Sequence, residues 1–183
     1  MDALSKWTEQ ATTLAREWYP KIDAALGIAP PAGASPIKIV MDVAYDGVAA
    51  TSGSEIRVSA KYVHAHPKDI GLVVHELTHA IQGYPKYDPV WLVEGIADWV
   101  RFFCYEPVEA RPHPSPAKAN ARASYRTTAA FLEWARNTYD TNLVKKLNAA
   151  LSKGTYSEGV WNELTGSSLD ELNTKWIATL KSS

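Results

Sequence analysis

Thiols are almost absent from this chain, in which Cys104 is the only cysteine among 183 residues. A single cysteine cannot form an intramolecular disulfide, and it excludes a metal cluster built from several thiolates. A lone thiol within an apolar segment is most often a small core residue. We therefore expect Cys104 to have a structural role and not to act as a nucleophile.

An excess of charge of either sign is also missing. The chain carries 19 lysines and arginines against 20 aspartates and glutamates, which gives a formal net charge of −1. Such a balance provides no general attraction to nucleic acid or to an anionic membrane surface. We expect no nucleic-acid partner.

Long apolar runs are lacking as well. The longest contain only a few residues, whereas a membrane-spanning helix needs about 20. We therefore expect no membrane span. The sequence as given opens on a helical pattern and not on a charged and apolar leader, so it predicts no export signal by itself. Its length suits one domain, and we predict a single domain over residues 1–183.

The N-terminal part combines a helix with short β-type stretches. Apolar residues at helical spacing predict an amphipathic helix over residues 3–26 that ends at Gly27. A connector, PPAGASP, follows. Three stretches rich in β-branched or small residues then predict a sheet of about three strands; they read PIKIVMDV, VAATSG and SEIRVSA.

The remainder of the chain is mainly helical in pattern. A helix is predicted from Pro67 to a stop at Gly83, and a second one starts with Asp88 as its N-cap. Four prolines within residues 104–117 predict an extended surface loop. Further helices are predicted at 118–137, 140–152, 158–164 and 169–181, the last with Ser168 and Glu171 at capping-box spacing. The order of elements predicts an α+β fold with a small N-terminal sheet and a mostly helical C-terminal half.

The segment VVHELTHAI carries the clearest chemical motif. His75 and His79 lie four residues apart, so both imidazoles project from one face of a helix at a spacing that suits two zinc ligands. Glu76 lies next to His75 and points elsewhere, so it is placed to accept a proton from a water bound by the metal. Two surface histidines are the plainer interpretation, but the apolar surroundings predict a buried helix, in which unpartnered polar groups are costly. We expect a metal site with one zinc ion per chain.

The next helix offers two carboxylates as the third ligand, Glu94 and Asp98. If the two helices pack antiparallel, the rise per residue puts Glu94 level with His79 and Asp98 level with His75. Glu94 is therefore the better ligand, and Asp98 the better acceptor for a ring N–H of His75. Three alternatives stay open: Asp98 is the ligand, the two acids face solvent, or Arg101 pairs with either of them.

Several segments together resemble the basic secretory protein family of plants and bacteria, a family of zinc metallopeptidases. They are HELTHAIQ, PVWLVEGIADWVR, YRTTAAFLEW and KLNAAL, within about residues 36–180. The resemblance implies a zincin-like fold and a peptidase of the gluzincin type, with His75, His79 and Glu94 as zinc ligands and Glu76 as general base. It also implies a secreted or cell-envelope location. The chain itself is not basic, in contrast to the family name.

A donor for the oxyanion is less well defined. Tyr125 is the candidate because it matches a tyrosine that recurs in the pattern of this family. A buried tyrosine hydroxyl is more often only hydrogen-bonded in a core. Tyr105 and His113, at the edge and inside of the proline-rich segment, are alternatives.

Two functional classes follow. The first is a zinc endopeptidase that acts on a polypeptide or glycoprotein, and the second is a metal-retaining, non-catalytic module that binds protein or glycan. The presence of Glu76 favours the enzyme, since a binding module needs no general base. The GxMEN motif of aminopeptidases is absent, which favours cleavage within chains. Residues 48–53 could bind an extended substrate by strand addition, although a plain hairpin strand is at least as well supported.

Overall fold

The predicted combination of helices with a small sheet is confirmed. The computed structural model describes residues 3–28 and 36–181. Its elements form two compact units, one ending at Gly83 and the other beginning at Tyr84. Most of the predicted connector PPAGASP lies outside the described residues. None of the described helices is both long enough and apolar enough to cross a membrane.

The first unit is organised around a long N-terminal helix, α1 (Ala3–Leu26), which has the predicted bounds. Gly27 follows it with a φ of 68°, a left-handed conformation that glycine adopts without steric cost. One face of α1 is buried and packs against α3 (Leu72–Gln82). The buried residues of α1 are Trp7, Ala11, Ala15, Ile22, Asp23 and Leu26.

The sheet of the first unit has the three predicted strands, β1 (Lys38–Asp42), β2 (Ala49–Ser52) and β3 (Glu55–Ser59). Their order is β1-β3-β2, with β3 parallel to β1 and antiparallel to β2. Ile56 and Val58 of β3 are fully buried, and α3 packs against β2 and β3. Among the described strands, β2 therefore forms one edge of the sheet, next to α3.

The helix that carries VVHELTHAI does not begin at Pro67, as the sequence predicts. A short helix, α2 (Ala60–Ala65), directly follows β3, and the Ser59 side chain caps it by accepting a hydrogen bond from the Tyr62 N–H at 3.2 Å. Residues 67–71 form turns, in which Asp69 accepts a 2.7 Å hydrogen bond from the Tyr62 hydroxyl. Consequently α3 begins only at Leu72.

The second unit is built from helices. It begins with α4 (Val90–Trp99), which continues as a π-helix (Val100–Tyr105) and is followed by a 3₁₀ turn (Val108–Ala110). The later helices are α5 (Tyr125–Thr138), α6 (Leu143–Ser152), α7 (Gly159–Thr165) and α8 (Leu169–Lys181). Phe131 of α5 contacts both Trp161 and Trp176, which are almost completely buried. These aromatic rings form the centre of the core of this unit.

Three predicted boundaries in this unit are corrected. Asp88 is not the N-cap of α4: Pro89 has that position, because its carbonyl accepts hydrogen bonds from Leu92 and Val93. The extended loop starts later than residue 104, since the π-helix runs to Tyr105, before the first proline of that segment. The next helix begins at Tyr125 and not at 118. The residues before it form turns, in which the Arg122 N–H donates to the Asn120 side chain and the Ala121 N–H donates to the Asn173 side chain.

The predicted capping box at the start of α8 is confirmed. The Ser168 N–H donates to the Glu171 carboxylate at 2.8 Å, and the Glu171 N–H donates to the Ser168 hydroxyl at 3.3 Å. Each side chain thereby satisfies a backbone donor that the helix itself leaves without a partner. The start of α8 can be predicted from the sequence because the whole interaction lies within four residues.

Helices α4 and α5 approach each other closely at Gly95, the residue after Glu94. A Cβ at position 95 would lie 2.7 Å from the Cβ of Thr128 and closer still to its Cγ2. Thr128 is fully buried, and its hydroxyl donates a 2.7 Å hydrogen bond to the Ala121 carbonyl. The Thr128 side chain therefore cannot turn away without losing that bond, so a Cβ at position 95 would overpack the contact.

We expect Gly95→Ala to lower the free energy of unfolding by about 1–3 kcal/mol, because the added methyl group overpacks a core contact. Urea unfolding measures the change. Gly159→Ala is the matched control, since a Cβ there would lie 3.5 Å from the Ser157 hydroxyl, an ordinary contact. Equal stability of the Gly95→Ala protein and the wild type would contradict the close approach of α4 and α5.

Candidate metal centre

Helix α3 carries the two histidines of the HExxH motif on a rigid, largely buried segment. Its apolar residues Leu72, Val73, Val74 and Leu77 are at most 3% exposed, which anchors the helix in the first unit. The helix ends at Gly83, as predicted, with a φ of 48° and a 3.2 Å hydrogen bond from its N–H to the His79 carbonyl. The histidines are thus fixed by the packing of the opposite helix face.

The two imidazoles converge as ligands of one metal ion would. Their Nε2 atoms lie 3.1 Å apart, and the rings meet edge to face with centroids 4.7 Å apart. Two nitrogens of a tetrahedral zinc, each about 2.05 Å from the ion, are about 3.3 Å from each other. The spacing of the His75 and His79 nitrogens therefore fits a shared zinc ion.

Gln82 orients one of these rings, a role that the sequence did not reveal. The Nδ1 atom of His79 lies 3.1 Å from Oε1 of Gln82, one helical turn further along α3. The amide oxygen is an acceptor, so this contact is a hydrogen bond in the tautomer that has its proton on Nδ1. Nε2 is then the nitrogen with a lone pair, the form in which an imidazole binds a metal. A glutamine three residues after a histidine is ordinary near the end of a helix, so the sequence does not point to this contact.

Glu76 is buried against the sheet. It is 8% exposed, and its Oε2 atom accepts a 2.7 Å hydrogen bond from the hydroxyl of Thr51 on β2. The same hydroxyl lies 3.0 Å from the backbone carbonyl oxygen of Glu76. Thr51 precedes Glu76 by 25 positions, and this contact too was missed by the sequence patterns.

Helix α4 carries both predicted acids of the second unit. Glu94 is 7% exposed and Asp98 is 4% exposed, so the alternative of a solvent-facing acidic pair is wrong. The Tyr87 hydroxyl donates a hydrogen bond to Oε1 of Glu94. Arg101, one of the alternatives considered as a partner of these acids, has its Nε atom 3.5 Å from Oε1 of Glu106.

Three of the predicted ligands form a group that could hold a metal ion. One ligand atom each from His75, His79 and Glu94 lies within 4.8 Å of the other two. Two imidazole nitrogens and a carboxylate oxygen are a common donor set of catalytic zinc, which keeps a further position open. The chemistry of the donors therefore fits the expected ion, and Glu94 is the carboxylate that belongs to the group.

The predicted oxyanion donors occupy different kinds of position. Tyr125 is the first residue of α5 and 53% exposed. Its φ of 46° follows a φ of 65° at Ser124, a conformation that is rare for residues other than glycine. Thr128, the residue that packs against Gly95, lies about one helical turn after Tyr125. Tyr105 ends the π-helix, and His113 is exposed in the following loop.

Cys104 lies half-buried in the π-helix, and burial, together with the nearby Glu133 carboxylate, raises the pKa of its thiol to about 12. The thiolate fraction at pH 8 should then be about a thousandfold below that of an ordinary cysteine. We expect iodoacetamide to label the native protein at least 100 times more slowly than the urea-unfolded protein. Equal labelling rates, read by mass spectrometry, would contradict the structural role of this thiol.

Comparison with known proteins identifies a family for the chain. A family model described as BSP, peptidase of plants and bacteria, matches residues 19–176, which include all the predicted site residues. Neither the curated proteins nor the solved structures contain a match to the chain. Because the match covers most of the sequence, the predicted resemblance to the basic secretory protein family is confirmed. The chain belongs to this family of peptidases.

Proposed function

We propose that this protein is a zinc-dependent endopeptidase of the gluzincin type and that the whole chain acts as one zincin-like domain. The observation that carries the proposal is the grouping of His75, His79 and Glu94 beside Glu76, which the motif places next to the first ligand. A carboxylate at that position has a role in water activation, whereas metal binding alone does not need it. Membership of a peptidase family supports the same conclusion.

His75, His79 and Glu94 would hold the ion. Zinc, when bound there, supplies Lewis-acid chemistry: it acidifies a water molecule and polarises a peptide carbonyl. Glu76 accepts the proton of the attacking water and delivers it to the leaving amine nitrogen. Gln82 fixes the tautomer of His79, and Asp98 is proposed to accept the ring N–H of His75 in the same way.

Tyr125 is the proposed hydrogen-bond donor to the oxyanion that forms when the carbonyl is attacked. Its exposed ring and left-handed backbone at the start of α5 support this assignment, because such strain is concentrated at functional sites. The hydroxyl needs no charge change to act as a donor.

Substrate binding is proposed at the edge strand β2. The backbone N–H of Ser59 donates a 3.0 Å hydrogen bond to the Val48 carbonyl. In an antiparallel ladder, residue pairs that are joined by hydrogen bonds alternate with pairs that are not. With the observed register, the backbone groups of Ala49 and Thr51 therefore point away from β3. They are oriented to pair with an extended polypeptide. The family resemblance supports a secreted or cell-envelope location, where a polypeptide or glycoprotein would be the substrate.

Digestion of a diverse peptide mixture by the zinc-loaded protein tests the proposal. Mass spectrometry of the products should find new internal termini with the wild type and not with Glu76→Gln. Glycoprotein substrates are included in parallel. A protein that holds one zinc per chain and cleaves none of these would be the non-catalytic binding module instead.

A further inference from the structure

The hydroxyl of Thr51 joins the edge strand to the proposed general base. It lies 2.7 Å from Oε2 of Glu76 and 3.0 Å from the backbone oxygen of the same residue. A hydroxyl has one proton to donate, and the carboxylate oxygen is both the closer and the charged acceptor. The proton of Thr51 is therefore directed to Oε2.

The position of Thr51 is itself well fixed. It pairs with Ile56 of β3, a residue with no exposed surface, and the strand packs against α3. Threonine is also stiff at χ1, because its Cβ is branched. The hydroxyl is thus held by the sheet, and Glu76 is the partner that has the longer and more flexible side chain.

The carboxylate of Glu76 needs such a partner. The side chain is buried, and a buried carboxylate is costly unless it is hydrogen-bonded. Within residues 3–28 and 36–181, Thr51 is the side chain that donates to it. Loss of this bond would leave the carboxylate able to rotate about its own side-chain torsions.

We propose that Thr51 is a positioning residue for the peptidase reaction. It holds Oε2 of Glu76 so that Oε1 is the oxygen presented to the attacking water. Because the backbone of Thr51 also belongs to the proposed substrate-binding edge, the same residue relates the peptide to the base. This inference rests on the proposed function.

Two variants of the zinc-loaded protein test it. Thr51→Val keeps the shape of the side chain and removes the hydroxyl, whereas Thr51→Ser keeps the hydroxyl. A misplaced catalytic group costs on the order of 100-fold in rate. We therefore expect Thr51→Val to lower kcat by about 10- to 100-fold, with KM and zinc affinity within about twofold of the wild type. Thr51→Ser should recover most of kcat.

The double variant Thr51→Val/Glu76→Gln adds a second criterion. If Thr51 acts through Glu76, the double variant should be no slower than Glu76→Gln alone, because the two effects are not additive. A crystal structure of the Thr51→Val protein gives a readout independent of activity. It should show the Glu76 carboxylate turned away from its position beside β2, with the zinc ligands unchanged.

The possible failures are distinguishable. An active wild type with an equally active Thr51→Val protein would overturn the role of Thr51 alone. Equal losses in Thr51→Val and Thr51→Ser, in step with a lower melting temperature, would make the hydrogen bond merely structural. A zinc-loaded wild type that cleaves no substrate would overturn the proposed function and, with it, this inference.

Discussion

The zinc-loaded Glu76→Gln protein is expected to hold one metal ion per chain and to cleave peptides about 100- to 10,000-fold more slowly than the wild type. Glutamine has nearly the same shape as glutamate, and its amide oxygen can still accept the hydrogen bond from Thr51. What it cannot do is accept a proton from water, and general base catalysis contributes about 10²–10⁴ in rate. Steady-state kinetics and metal analysis of the same preparation measure both quantities.

Either of two results would revise the role of Glu76. Loss of zinc from the Glu76→Gln protein would make this carboxylate a ligand and not the base. Full activity with zinc retained would require a different proton acceptor. Glu163→Gln, an exposed change on α7, controls for the loss of one negative charge and should behave as the wild type.

Glu94→Gln should weaken zinc binding far more than Asp98→Asn. Glu94 belongs to the group of ligand atoms within 4.8 Å of one another, so its replacement removes one of the three proposed zinc ligands. We expect the zinc dissociation constant of Glu94→Gln to rise by more than the roughly 100-fold that marks the upper end for an indirect partner. Asp98 is proposed to act through the ring of His75, and loss of such an indirect partner typically costs 10–100-fold in affinity.

Competition with a chromogenic chelator measures both dissociation constants, and circular dichroism checks that each variant is folded. Near-wild-type binding by Glu94→Gln together with a large loss in Asp98→Asn would exchange the two roles. Equal, small losses in both would mean that neither carboxylate is a ligand.

Local patterns predicted much of the fold and the centre of the site. The bounds of α1, the three strands and the stop at Gly83 depend on periodicity and turn chemistry, which act over a few residues. The same is true of His75 and His79, whose spacing places them on one helix face. The third ligand was harder, because Glu94 and Asp98 are also four residues apart and so share a face.

Contacts between distant residues lay beyond these patterns. Thr51 meets Glu76 only because the sheet packs against α3, and no spacing in the sequence encodes that contact. A tyrosine near a turn is ordinary in sequence, so no pattern indicates the hydrogen bond from the Tyr87 hydroxyl to Glu94. The start of α5 was misplaced because the helical pattern of residues 118–124 is overridden by side chains that bind the local backbone.

A crystal structure with anomalous data collected at the zinc absorption edge would show directly whether His75, His79 and Glu94 bind zinc. We expect one strong peak per chain, about 2.0–2.2 Å from Nε2 of His75, Nε2 of His79 and a carboxylate oxygen of Glu94. Absence of a peak from zinc-supplemented crystals, or a peak held by other side chains, would contradict it.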